Sequence, residues 1–200
     1  MMYALGAIAE VSTGYPFRKK VESEEGGDLV LVQMKDIDGA GGVVGPGTIT
    51  LRSTGASYHR YLLRDGDLLF QSRGSRHPAA IVQPGIRGIA AAGLHVIRAD
   101  QHRVRPDYLA WWLNHPRSQA KITEDLARGS YIPFVSKADL LAFLVPVPTM
   151  PVQQRIVEID RLRRRERELA TQHMELTEQL VDCATLAVVT QTQQRSNRHD

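Results

Sequence analysis

One cysteine, Cys183, among 200 residues leaves no internal disulfide framework and no cysteine cluster for a metal. No apolar run approaches the roughly eighteen residues that a membrane span requires. The N-terminal stretch MMYALGAIAEVSTGYPFRKK carries its positive charges after its apolar part, the reverse of a secretory signal. These absences point to a cytoplasmic chain. Aromatic residues make up only 6% of the total, although a hydrophobic content of 42% suffices for a core. Catalytic signatures are missing too. The seven histidines form no HExxH or HxH pair, no serine sits in a GxSxG elbow, and there is no phosphate-binding GxxxxGK[ST] loop or dinucleotide fingerprint. SYIPF (130–134) is the nearest approach to the Asn/Asp-Pro-Pro-aromatic tetrad of a methyltransferase, and it lacks the acidic or amide residue. The expectation is a non-catalytic protein without metal or cofactor.

Lysine is absent between Arg52 and Arg105, where nine arginines face three aspartates, a net charge of +6 in 54 residues. Residues 151–200 carry eight charges of each sign. Positive charge is therefore concentrated in the middle of the chain. Guanidinium groups offer a planar fork for phosphates and guanine edges, so this bias fits nucleic acid better than it fits a general protein surface.

The first 150 residues alternate short apolar runs with turn signals. DLVLVQM (28–34), GTITL (47–51), DLLFQSR (67–73), AAIVQ (79–83) and LHVIRA (94–99) read as strands, and glycine-rich DGAGGVVGPG (38–47) as a turn. Pro106 and Asp107 open a helix over DYLAWWLN that Pro116 should stop; RSQAKITEDLA follows as a second helix with Gly129 as its exit. Trp111 and Trp112 read as packing residues. The expected fold class is α+β, an irregular curved-sheet domain over 1–150. Two stretches look built for contact. LLFQSRGSRHPAAIV (68–82) reads as a hairpin whose tip displays Gln71, Ser72, Arg73, Ser75, Arg76 and His77; LARGSYIPFV (126–135) offers Arg128, Ser130 and Tyr131.

Pro146, Pro148 and Pro151 fall within six residues, and no proline follows in the remaining forty-nine. Val145 to Pro148 should run extended, and Pro151 suits the first turn of a helix. Beyond it Val152, Ile156, Ile159, Leu162, Leu169, His173, Leu176, Leu180, Cys183 and Ala187 keep three- and four-residue spacing, interrupted by Arg163 and Glu166. A helix over 151–189 would be on the order of 55–60 Å long, more than a small domain can cover. Its stripe calls for another helix, while the polar residues 190–200 should be disordered.

These parts, in this order, resemble the specificity (S) subunit of type I restriction–modification systems, in a half-length form with one target-recognition domain and one conserved helix. The resemblance rests on LGAIAEVSTGYPFRKK (5–20), LVQMKDIDGAGGV (31–43), YLLRDGDLLFQSRGS (61–75) and GSYIPFVSKADLLAFLVPVPTMPVQQRIVEIDRL (129–162). In the last of these a glycine-containing return precedes an apolar strand, a Pro-Val-Pro linker and a Gln-Gln-x-x-Ile-Val helix start. The resemblance implies double-stranded DNA as ligand, a DNA adenine methyltransferase (M) subunit as partner, and a restriction (R) subunit in the larger assembly. Lys35, Arg52, Tyr58 and Arg60 then join the two loop groups as DNA-contact candidates. Ile156, Ile159, Leu162, Leu169, His173, Leu176, Leu180 and Cys183 become the dimer face, with the prolines fixing the launch of a spacer helix. Family members usually carry two such halves, and this sequence shows no internal repeat. Homodimerisation and an interrupted palindromic target follow, with Arg163–Arg167 of one antiparallel helix meeting Glu175 and Glu178 of the other. A truncated S fragment, a protein-interaction scaffold with a coiled-coil arm and an enzyme without a familiar motif are the alternatives. The arginine excess weighs against the scaffold.

Overall fold

The computed structural model describes residues 1–17, 21–37, 49–53, 58–127 and 132–196. Three sheets organise the N-terminal part. β2 (Ala9–Thr13), β8 (Leu94–Ala99), β5 (Leu68–Gln71) and β6 (Ala79–Ile81) form an antiparallel sheet in the order β2-β8-β5-β6. β4 (Ile49–Leu51), β3 (Leu29–Val32) and β7 (Gly88–Ala90) form a second, antiparallel between β3 and β4 and parallel between β3 and β7. β1 (Met2–Ala4) pairs with β9 (Leu144–Pro146).

The continuous apolar runs of β5 and β3 have a physical reason: both faces of each strand are covered. Leu68 and Phe70 face a core built with Tyr108, Leu109, Leu113, Ile122 and Leu140, whereas Leu69 faces a second core with Val82, Leu94 and Val96. In β3, Val32 joins that second core, and Leu29 and Leu31 join a third with Leu51 and Ile89. The period-2 alternation of a strand thus distributes one short run between two cores.

Helices supply the outer layer. α1 (Pro106–Asn114) and α2 (Pro116–Lys121) each begin on a proline, where a missing N–H costs nothing, and α2 ends in a π-helical turn over Ile122–Leu126. All five expected strands are present, β8 over the full expected range 94–99 and the other four shortened, but β1, β2, β7 and α3 (Lys137–Ala142) were not expected. The segment before the prolines, read as one apolar strand, is α3 followed by β9. Ser136 decides this, because its Oγ accepts from the Asp139 N–H at 3.1 Å and donates to the Asp139 carboxylate at 2.7 Å. The turn expected at 38–47 and the exit at Gly129 lie outside the described residues.

α4 runs from Met150 to Ser196, with Pro151 in its first turn. It continues past the expected end at 189 because TQTQQ contains no glycine or proline to stop it; residues 197–200 of the expected tail lie outside the described part. The chain divides within this helix into units Met1–Val157 and Glu158–Asp200. Gln153 fastens the first turns into the N-terminal unit. Its fully buried side chain donates to the carbonyls of Arg103 at 3.1 Å and Pro148 at 2.9 Å, and accepts from the Arg105 N–H at 2.9 Å. Ile156 and Val157 pack on the largest core. Among the described residues no helix is long and apolar enough to cross a membrane. Gln153→Ala takes the partner from three backbone groups and empties a buried site, so urea unfolding should show a loss of about 2–3 kcal/mol; an unchanged midpoint would contradict this role.

Candidate nucleic-acid interface

β5 and β6 form the expected hairpin, with Leu68 opposite Ile81 and Phe70 opposite Ala79. Gly74 occupies the left-handed region at φ +115°, which an L side chain would resist, and so turns the tip. The tip does not stand free. The Ser72 N–H and Oγ both donate to the Gly93 carbonyl, at 3.0 and 2.8 Å, and the Gly74 N–H donates to Pro133 at 2.9 Å. The Val135 N–H donates to the Ser72 carbonyl at 2.8 Å, and Arg73 pairs with Phe134 in an antiparallel bridge. Two stretches chosen separately in the sequence are thereby joined, although Arg128, Ser130 and Tyr131 themselves lie outside the described residues.

Joining them corrects the expected tip. Ser72 is buried, its hydroxyl consumed by Gly93. His77 is fully buried: Nδ1–H donates to the Gln71 carbonyl at 2.9 Å, and its backbone exchanges hydrogen bonds with the Gln119 side chain. Gln71 is half-buried and donates to the Arg73 carbonyl, shaping the turn. Only Arg73, Ser75 and Arg76 project into solvent, and neither arginine has a carboxylate partner among the described residues. Burial of Ser72 and His77 follows from strand parity: at positions 70–72 the core-facing requirement extends one residue past the last expected packing position.

The remaining candidates separate into two kinds. Arg52 is committed locally, its guanidinium donating to the Glu25 carbonyl at 2.6 and 3.0 Å. Lys35 is exposed on a 3-10 turn (Met34–Asp36) whose Met34 packs against Gly93 at the base of the hairpin tip. Tyr58 and Arg60 belong to an aromatic group. Tyr58 and Tyr61 meet Tyr15 edge-on at 5.0 and 5.1 Å, Phe17 lies 4.7 Å from Tyr15, and the Arg60 guanidinium sits 5.1 Å over Tyr61. These residues line an open cavity of about 640 Å³. Burial raises the Tyr58 pKa, with smaller contributions from Tyr15 and Glu24. The arginine excess itself is partly spent inside the fold: Arg98 forms a bidentate pair with buried Asp67 at 2.7 and 2.8 Å, and Arg105 pairs with Asp107. Arg60, Arg64, Arg73 and Arg76 are the exposed remainder without a carboxylate partner among the described residues.

The dimer-face candidates on α4 also divide. Ile156 is half-buried against the core of its own domain. Ile159, Leu162, Leu169, Leu176 and Leu180 are large apolar side chains exposed by 48–70%, and His173 and Cys183 are exposed with them. The arginine cluster finds acids within its own helix, Arg163 and Arg164 on Asp160 and Arg165 on Glu168, so an intermolecular role is not needed for these three.

A family model described as the type I restriction modification DNA specificity domain matches residues 1–173. The chain belongs to this family. No curated protein matches it. Among solved structures this specificity domain is similar to the HsdS subunit from Thermoanaerobacter tengcongensis, with TM-score 0.60 and 25% identity over 84% of this chain and 43% of that one. A chain from a type I R-M system, solved for its complex assembly and conformational transition, aligns with TM-score 0.63 at 19% identity, over 84% of this chain and 39% of that one. The S subunit of a type I system from M. genitalium aligns with TM-score 0.55 at 13% identity, over 80% and 37%. The last two likenesses establish the fold. The chain spans about two fifths of the length of these solved chains.

Sequence reasoning missed what supports the specificity-domain hairpin. Phe70 is stacked between His77 and His95, ring centroids 5.9 and 6.4 Å away and both planes within 11°. His95 Nε2–H donates to the Val135 carbonyl at 2.9 Å. His77 Nε2 and His95 Nδ1 are buried without a hydrogen-bond partner among the described residues, so a second proton has nowhere to be accommodated. Burial accordingly holds both pKa values below the ordinary histidine value, against the raising effect of the one hydrogen bond each makes. In the unfolded chain each ring takes up a proton near pH 6.5, as the folded chain does not until lower pH. Stability is therefore undiminished above about pH 6.5 and falls below it, by up to about 1.4 kcal/mol per pH unit per histidine. The urea midpoint at pH 5.5 should lie below that at pH 7.5, and His77→Phe should shrink the difference. A midpoint independent of pH would refute the assignment.

Proposed function

We propose that this chain recognises a specific sequence in double-stranded DNA as the non-catalytic specificity subunit of a type I-like restriction–modification complex. Membership of the DNA specificity family over residues 1–173 carries the reading. Arg73 and Arg76 support it, held on a fixed turn, turned to solvent and without a carboxylate partner among the described residues. Their fixed placement suits phosphate contact, with Ser75 between them able to bond a phosphate or a base edge. The partners are a DNA adenine methyltransferase subunit, which supplies the chemistry that this chain lacks, and a restriction subunit in the larger assembly.

The exposed stripe from Ile159 to Leu180 supports pairing with a second copy. Two copies related by a two-fold axis would present two recognition domains and read an interrupted palindrome. A helix this apolar along one stripe is poorly stabilised alone, and burying it against its symmetry mate removes that cost.

Two measurements test these statements. Duplexes enriched from a random library by the purified protein should bind with an affinity that falls steeply with salt, and Arg73→Ala/Arg76→Ala should reduce the log–log salt slope by about 2. No enrichment, or binding indifferent to salt and to both substitutions, would remove the DNA reading. In sedimentation, Leu169→Asp/Leu176→Asp should convert the protein to monomers while the domain keeps its thermal transition. Continued association of that variant would exclude pairing through α4.

A further inference from the structure

The residues after 131 carry a pattern that the DNA reading above does not use. Ile132 and Phe134 are 54% and 44% exposed, while Val135 is buried in the main core. Phe134 and Val135 take opposite sides, as successive bridge-region residues do, and Ile132 is exposed at the bend just before them. Phe134 is also the bridge partner of Arg73 across the hairpin tip. Directly opposed residues of an antiparallel pair project on the same side, so the Arg73 guanidinium stem and the Phe134 ring stand next to each other.

The backbone beneath them is fastened. The Pro133 carbonyl accepts from Gly74, the Val135 N–H donates to Ser72, and the Val135 carbonyl accepts from His95. Two large apolar side chains are thus held in solvent by a frame that has little freedom left to lose. An exposed apolar patch this well supported, with Arg73 beside it and Arg76 on the same hairpin tip, neither paired with a carboxylate among the described residues, has a particular chemical complement. The complement must offer anionic groups for Arg73 and Arg76 and an apolar slot beside them. A duplex does so when two stacked base pairs separate, phosphates lying on either side of the opened step.

The geometry points to Ile132 and Phe134 as a wedge that enters DNA between base pairs and bends it, with Arg73 and Arg76 on the flanking phosphates. This rests on the DNA-binding reading and adds the manner of recognition. Opening a step is cheapest where a pyrimidine precedes a purine, so the wedge also selects: the recognised half-site contains a TA or CA/TG step at the contact even though no hydrogen bond reads it.

The test uses the full chain and the duplex that it enriches from a random library. End-labelled duplex reports bending by energy transfer, and 2-aminopurine placed at successive positions reports unstacking. With the unaltered protein, the labelled ends should approach and 2-aminopurine should brighten at one step of the pyrimidine–purine type. Ile132→Ala/Phe134→Ala should abolish both signals and weaken binding by about 10- to 100-fold, the loss expected for removing stacking contacts, with the salt slope retained. Arg73→Ala/Arg76→Ala should lower the salt slope instead. Both altered side chains are exposed, so the thermal transition should be unchanged, and the unaltered protein alone already decides the matter if that variant fails to fold. Binding to straight, fully stacked DNA overturns the wedge and leaves the DNA reading standing; bending and brightening that persist in the Ile132/Phe134 variant do the same. Failure to enrich any duplex overturns both.

Discussion

Burial of β5 on both faces is the constraint from which the rest of the domain follows. Leu68, Leu69 and Phe70 are each completely removed from solvent, Leu68 and Phe70 on one side and Leu69 on the other. A strand so placed needs a layer above and a layer below. α1 and α2 supply the first, and the smaller sheet supplies the second. Because the strand is central, its register also fixes that of β6 and β8, and with them the hairpin tip. Full burial of these three side chains contributes several kcal/mol in the usual accounting, about 1.5–3 kcal/mol for each large one. That exceeds what any surface ion pair of the domain supplies.

The same strand explains why two histidines are buried at its end. His77 and His95 lie near-parallel to Phe70, and each spends one ring nitrogen on a backbone carbonyl, His77 on Gln71 at the end of β5 and His95 on Val135. Phenylalanine at either place would stack as well but could not donate that hydrogen bond. The neutral imidazole is here a flat packing element with one donor, and its chemistry as a base is suppressed by the burial that makes it useful.

Legibility in the sequence followed the range of the interactions. Runs such as LVLV and LLF disclosed strands because burial on both faces leaves no polar interruption. Pro106 and Pro116 disclosed helix starts because their effect is confined to one turn. What could not be read was set by long-range pairing. β1 finds its partner 140 or more residues away in β9, and β7, GIA, is too short to show periodicity. Ser136 and Asp139 form a cap that was readable as Ser-x-x-Asp, but the apolar ADLLAFLV after it resembled a strand more than a helix. At the tip, alternation was legible and its phase was not: Ser72 and His77 differ from Ser75 and Arg76 only in which side of the hairpin they occupy. The Arg52–Arg105 excess overstated the free charge, since Arg98 and Arg105 are committed to Asp67 and Asp107.

That phase divides the tip into two inventories. Ser72, His77, His95 and Val135 hold the frame through backbone carbonyls and buried contacts, whereas Arg73, Ser75, Arg76, Ile132 and Phe134 project from it and support nothing beneath them. Substitutions in the second group leave the first undisturbed, because a side chain in solvent contributes little to folding. A lineage carrying this domain can thus drift through many surface alphabets on an unaltered scaffold, with each change of address separated from any threat to the fold.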